Sequence, residues 1–318
     1  MSNPEQELIQ TYFAPLAGDG AAGLMDDAAT WVPAEGMETV LSTDTLVAGV
    51  HFIGDEPADL IARKALRVNY SDLVAKGAAP CGYLLNLGLS TEQDQEWLKR
   101  FSAGLAEDQA EFDCKLLGGD TVSTPGPLVL SVTAIGEVPA GKVVRRGTAK
   151  VGDVLYVTGT IGDSAIGLEV LKDHCKTVDD SYLIDRYRLP RPRIECLGLI
   201  REFASAAMDI SDGLIGDLEQ LVAASGVGAE VNCDLVPLSE AVRSLSVLDD
   251  QVMKRALTGG DDYEILFSVP YKRADTFEAV CSNDVHHIGE IVKGNQVAVW
   301  NTEGEQIEFP SKSWSHFS

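Results

Sequence analysis

Met208-Asp209-Ile210-Ser211-Asp212-Gly213-Leu214 carries two carboxylates and a hydroxyl between Asp209 and Asp212. An apolar run from Phe203 to Met208 leads into it. After Gly213, the residues Leu214, Ile215, Leu218, Leu221 and Val222 recur at helical spacing. The order is therefore strand, acidic turn, helix. Asp209 and Asp212 then lie near the positive end of a helix, where anions are favoured. Two hard oxygen ligands at such a turn suit Mg²⁺, which is usually held by one or two carboxylates plus substrate phosphates. Taken alone, Ser211 or Asp212 is more simply an N-cap. The metal role gains weight because similar turns recur along the chain.

Composition narrows the field. The chain has 318 residues, enough for two domains with sizeable cores. Its 45% hydrophobic and 23% charged content is that of an ordinary soluble globular protein. No apolar run approaches the ~20 residues of a membrane span, and Met1 to Gln10 is too polar for a signal peptide. The six cysteines are scattered without a CxxC, which argues against zinc and for reduced thiols in the cytoplasm. A net charge of −24 repels nucleic acid and anionic lipid. Phosphate substrates would need local Arg, Lys or metal to enter that field.

The acidic turns follow one another. Gly18 to Gly23 is a small-residue loop leading to Met25-Asp26-Asp27. Glu38 to Ser42 predicts a strand ending in Thr43-Asp44-Thr45, with His51-Phe52 soon after. Glu56 to Lys76 predicts a helix carrying Asn69-Tyr70-Ser71-Asp72 and closed by Gly77. A second helix, Glu92 to Phe112, precedes a short strand entering Gly118-Gly119-Asp120, where glycine permits close backbone approach to a ligand. Pro139 to Gly152, with Lys142, Arg145, Arg146 and Lys150, is the most basic stretch and marks the expected domain boundary, 1–148 against 149–318. It reads equally as a solvated linker or a phosphate clamp. Gly159-Thr160-Ile161-Gly162-Asp163-Ser164 between strand and helix offers an anion site. No GxxxxGK[ST] P-loop occurs, and Gly226-Val227-Gly228 lacks the rest of a dinucleotide fingerprint. Asp27, Asp44, Asp72, Asp120, Asp209 and Asp212 thus fall at turns or unfavourable helix positions beside apolar segments. Divalent cations would relieve their mutual repulsion and serve phosphoryl transfer.

Asp26-Asp27-Ala28-Ala29, Ser42-Thr43-Asp44, Val50-His51-Phe52, Asn69-Tyr70-Ser71-Asp72, Gly118-Gly119-Asp120, Met208 to Gly213 and Gly259-Gly260-Asp261-Asp262-Tyr263 occur in that order. Together they resemble the thiamine-monophosphate kinase family, within the aminoimidazole-ribonucleotide-synthetase-like (PurM-like) superfamily. The resemblance runs from about Glu5 to Phe317. It implies an α/β (α+β) fold of two sheet-plus-helix domains, with a homodimer formed through N-terminal-domain strands. It implies phosphorylation of thiamine monophosphate to thiamine diphosphate by ATP and several Mg²⁺ ions, and leaves a monovalent cation requirement open. By motif, Asp27, Ser42, Thr43, Asp44, Asp72, Asp120 and Asp209 would hold Mg²⁺ on the ATP phosphates, and Asp212 a further ion. Gly119, Arg146 and Ser211 would contact ATP, and Asp120 would lie beside it. His51, Asp261 and Trp314 would line the thiamine monophosphate site. Asp44, Asp72, Asp120, Arg146 and Asp209 would carry the chemistry. Met25 stands where the family usually has Gly. Asp261 stands where it usually has Glu, and reaches one methylene less far. A selenophosphate synthetase-like, purine-ligase-like or hydrogenase-maturation acceptor chemistry keeps the same fold. A non-catalytic divalent-cation binder is the remaining alternative, weakened by the lack of an EF-hand loop.

Overall fold

The structure, a computed structural model, describes residues 4–247, 249–301, 303–309 and 313. The chain divides into two compact units, one of residues 1–73 and 78–142, the other of residues 74–77 and 143–318.

The first unit opens with α1 (Pro4–Leu8), continues through π and 3₁₀ turns to Leu24, and enters strand β1 (Met37–Val47). Then come α2 (Ala58–Ala75), β2 (Ala79–Leu89), α3 (Gln95–Phe112), β3 (Lys115–Ser123) and β4 (Val129–Pro139). The sheet order is β1-β4-β2-β3; β2 and β3 run parallel, bridged by α3, and the other pairs are antiparallel. Asp94 caps α3 by accepting the Trp97 N–H at 2.8 Å. Helix α2 buries Ile61, Ala65, Leu66 and Val68, and α3 buries Leu98, Phe101 and Leu105. The two helices are locked by Asp108, fully buried, which receives Arg63 Nε at 2.7 Å and Arg67 Nε at 2.8 Å. The sequence put Asp44 and Asp120 at turns, and the structure corrects both. The alternation of Thr43, Thr45 and Leu46 carries β1 through Asp44 to Val47, paired throughout with β4. Asp120 pairs with Asn86 inside β3.

The second unit contains β5 (Val154–Thr158), α4 (Asp163–Leu171), α5 (Asp180–Arg188), α6 (Leu197–Phe203), β6 (Ala206–Asp209), α7 (Leu214–Ser225) and β7 (Gly228–Asn232). It continues with α8 (Glu240–Ser246), α9 (Asp250–Thr258), β8 (Ile265–Val269), α10 (Tyr271–Glu278), β9 (Val285–Val292) and β10 (Val297–Trp300). Its sheet runs β10-β7-β9-β5-β8-β6, antiparallel except for β10 beside β7. Central β5 is buried on both faces. Leu155 and Val157 join the cluster holding Met208, Leu214, Leu218, Leu266 and Ile288. Tyr156, one residue out of phase, joins Ile200, Phe203, Phe267 and Phe277. This two-sided burial fixes the end of β6, and with it the position of Asp209.

Candidate functional site

In the first unit a cleft of about 670 Å³ is lined by Asp26, Asp27, Gly118, Gly119 and Asp120, with Phe13, Trp31, Leu85 and Leu117 among its apolar walls. Asp27 and Asp120, distant in sequence, thus share one concave surface. Gly119 has φ +153°, and a Cβ there would lie 1.7 Å from the Leu85 carbonyl oxygen. The space that a side chain would fill is taken by the neighbouring strand, so the glycine is needed for pairing before any ligand is considered. Ser42 Oγ donates to Asp72 Oδ2 at 2.5 Å, tying β1 to α2. Asp44 shares Ser42's face of β1, because the strand period is two. Thr43 points to the other face, where its Oγ1 donates to the Val132 carbonyl at 3.0 Å. The structure therefore joins Ser42 to Asp72, sets Asp44 on the same face of β1, and turns the Thr43 hydroxyl to the other. His51 Nδ1 accepts the Val47 N–H at 3.0 Å, closing the turn after β1 and leaving the ring proton on Nε2.

In the second unit the acidic turn is zipped to the 259–263 loop. Asp261 N–H donates to Ser211 O, Tyr263 N–H to Ile210 O, and Ile210 N–H to Glu264 O, each at 2.8 Å. Gly213, with φ +111°, lets the turn pass the Thr258 backbone; a Cβ there would come within 2.6 Å of the Thr258 carbonyl carbon. Asp209 ends β6 almost buried, while Ser211 and Asp212 are half-buried. Asp261 sits at φ +71° and receives the Tyr263 hydroxyl at 3.2 Å. Arg146 is exposed, and its Nη1 donates to Gln220 Oε1 at 2.8 Å. Arg146, Ser211 with Asp212, and Asp261, named from three separate stretches of sequence, thus lie on one hydrogen-bonded framework. Trp314 lies outside the described residues.

The proposed metal ligands are all carboxylates and hydroxyls, a hard oxygen set that fits Mg²⁺ rather than a soft metal. Among the described residues no three His, Cys, Asp or Glu side chains already form a metal-holding group. The anion site expected at Gly159–Ser164 is corrected. The N–H groups of Gly162 and Ser164 at the start of α4 donate to Asp262, at 2.7 and 3.2 Å. The acceptor there is the protein's own Asp262 side chain. Burial pushes Asp262 well above the usual carboxylate range, against the pull of those N–H groups and Arg186.

Family models for AIR synthase related protein match twice, the N-terminal domain over residues 25–138 and the C-terminal domain over residues 150–301. A thiamine-monophosphate kinase from Caulobacter vibrioides is 42% identical over 98% of this chain and 90% of its own length. The chain belongs to the thiamine-monophosphate kinase family. Among solved structures, the thiamine-monophosphate kinase of Stenotrophomonas maltophilia K279a superposes with TM-score 0.82 at 37% identity, covering 92% of this chain and 94% of that one. AaThiL complexed with AMPPCP and TMP superposes with TM-score 0.80 at 32% identity, covering 94% and 97%. The first segment matched to this superfamily holds Asp27 through Asp120, and the second holds Asp209 through Asp261. Arg146 falls between the two segments.

Sequence reasoning missed two side chains that shape this candidate site, Asp217 and Gln220, and quoted Tyr263 within a motif without giving it a role. Asp217 Oδ2 accepts the N–H groups of Ser211 and Asp212, both at 2.9 Å. Burial pushes its carboxyl up to about 7, opposed by those two N–H groups. One signal was available: Asp217 interrupts the otherwise apolar start of α7, Leu214-Ile215-Gly216-Asp217-Leu218.

Proposed function

We propose that this chain transfers the γ-phosphoryl group of ATP to thiamine monophosphate, giving thiamine diphosphate and ADP. The full-length likeness to thiamine-monophosphate kinases supports the substrate. The observation that carries the site is the shared framework of Arg146, Ser211, Asp212 and Asp261. The attacking atom is a phosphate oxygen of thiamine monophosphate, already anionic at neutral pH, so no strong general base is needed. Its bond to the γ-phosphorus forms as the bond to the ADP oxygen breaks, and ADP leaves. The protein's work is then positioning and charge stabilisation. Arg146 and Ser211 contact the nucleotide. Asp261, His51 and Trp314 are assigned to the acceptor by motif, His51 offering the ring edge that carries Nε2. Asp27, Ser42, Asp44, Asp72, Asp120, Asp209 and Asp212 would hold several Mg²⁺ ions; Thr43, on the opposite face of β1, would join them only through its main chain. Bound Mg²⁺ neutralises polyphosphate charge that would otherwise resist approach of a second anion.

The same reading makes the enzyme a cytoplasmic homodimer. Among the described residues β1 pairs only with β4, and its outer face exposes Thr39, Leu41, Thr43 and Thr45. An edge of this length invites strand pairing with a second copy.

The test is ATP consumption with Mg²⁺, with and without thiamine monophosphate, following thiamine diphosphate by chromatography. Equal amounts of ADP and thiamine diphosphate are expected. ATP hydrolysis without diphosphate would overturn the acceptor, and removal of Mg²⁺ by EDTA should abolish transfer.

A further inference from the structure

Asp217 and Gln220 form a link between the acidic turn and the arginine. Asp217 is 1% exposed, one turn into α7. Its Oδ2 takes the backbone N–H groups of Ser211 and Asp212. Its Oδ1 faces Gln220 Nε2 at 3.4 Å. Gln220 then accepts Arg146 Nη1 on Oε1 at 2.8 Å. The direction follows from the arginine: a guanidinium only donates, so Gln220 presents Oε1 to Arg146 and Nε2 to Asp217, whose Oδ1 accepts while Oδ2 takes the two backbone N–H groups. The main chain of Arg146 is pinned separately, by Ser225 Oγ donating to its carbonyl at 3.0 Å. Asp217 and Gln220 stand one turn apart on α7 and Ser225 is its last residue, so this one helix carries the anchors for both ends of the link.

We infer that Asp217 and Gln220 are positioning residues that hold the Arg146 guanidinium in a preset relation to the Ser211–Asp212 turn. The inference rests on the assignment of Arg146, Ser211 and Asp212 to the nucleotide and its metal. An exposed arginine left to itself samples many rotamers, and ordering it on binding weakens affinity. Gln220 removes that freedom before the nucleotide arrives. Asp217 does the same for the turn, whose N–H groups would otherwise have no fixed acceptor. The link explains why a buried acid sits on an apolar helix, and why the exposed residue one turn later is an amide.

The experiment measures AMPPCP affinity with Mg²⁺ by calorimetry, and KM for ATP and kcat by initial rates. The proteins are the wild type, Gln220→Ala, Asp217→Asn, Arg146→Ala and the Arg146→Ala/Gln220→Ala double variant. Gln220 is exposed, so its alanine variant should melt with the wild type. Its AMPPCP affinity should fall about five- to tenfold, with KM for ATP rising in parallel and kcat changing less. In Asp217→Asn the amide oxygen can keep both backbone N–H groups, but its NH₂ now faces Gln220. Gln220 must turn its oxygen toward it and presents NH₂ to Arg146, breaking the link, so the defect should match that of Gln220→Ala. In the Arg146→Ala background, Gln220→Ala should add nothing. Unchanged affinity in Gln220→Ala, or an undiminished effect without Arg146, overturns the inference. If the wild type binds AMPPCP but transfers nothing to thiamine monophosphate, the acceptor falls while the affinity comparison still decides the link. If it binds no nucleotide, both fall.

Discussion

Asp261 and Asp262 are neighbours with opposite surroundings. Asp261 is half-buried at φ +71°, held by the Tyr263 hydroxyl. Asp262 is 1% exposed and accepts two N–H groups at the start of α4. Removing each should therefore fail in a different assay. Asp261→Ala should raise KM for thiamine monophosphate well above its effect on kcat, with little change in melting. Asp262→Ala leaves two buried N–H groups without an acceptor and should cost about 2–4 kcal/mol of stability, read by urea unfolding. Equal stability loss in the two variants would reassign Asp261 to the scaffold. Asp44 and Asp209 belong to a third kind, proposed to face metal. Asp44→Asn or Asp209→Asn should lower turnover by roughly two decades or more while far-UV circular dichroism stays unchanged. A variant that keeps most of its turnover at saturating Mg²⁺ would remove that residue from the metal set.

At the level of elements, Glu264 shows what decides the packing of the second unit. It is fully buried, yet receives Arg193 twice at 2.6 Å, Arg186 at 2.7 Å and the Thr158 hydroxyl at 2.6 Å. This one carboxylate joins β5, α5, β8 and the segment before α6. Glu264→Leu would leave the buried Arg186 and the part-buried Arg193 guanidinium without their shared partner, and should cost about 3–5 kcal/mol, seen as a lower urea midpoint. A loss under ~1 kcal/mol would mean that the arginines find water instead. The same network explains what the sequence hid. β5 was readable because a short apolar run buries both faces of a strand. Helix α5 was not, because Asp180-Ser181-Tyr182-Leu183-Ile184-Asp185-Arg186 shows few apolar residues, and its buried Arg186 reads as surface. The acidic turn before α7 was legible because apolar strand and helix patterns flank it. Asp44 and Asp120 were misplaced at turns because an aspartate is unfavourable in a strand, and only cross-strand partners reveal that it stays in one. Gln220 was illegible because its role lies in a hydrogen bond to a residue some seventy positions away, and Asp217 showed only as a break in an apolar helix start, its bonds to main chain being hidden.

The whole molecule carries a net charge of −24, and any dimer must form against it. Two such chains repel, so pairing through β1 would draw on backbone hydrogen bonds and apolar contact, not on charge. Leu41 is 65% exposed at the middle of the outer face of this edge strand, flanked by Thr39 and Thr43. Screening reaches about 8 Å at physiological ionic strength and lengthens to roughly 30 Å at 0.01 M. Lower salt should therefore weaken the dimer, the reverse of an interface built on opposite charges. Leu41→Asp would place an extra carboxylate from each copy in the pairing surface without touching the core. It should shift sedimentation from dimer to monomer at micromolar concentration, with the melting of each chain little changed. A wild-type chain that sediments as a monomer removes the dimer altogether. A Leu41→Asp variant that stays dimeric at low salt moves the interface away from β1, and leaves the exposed face of that strand to the solvent.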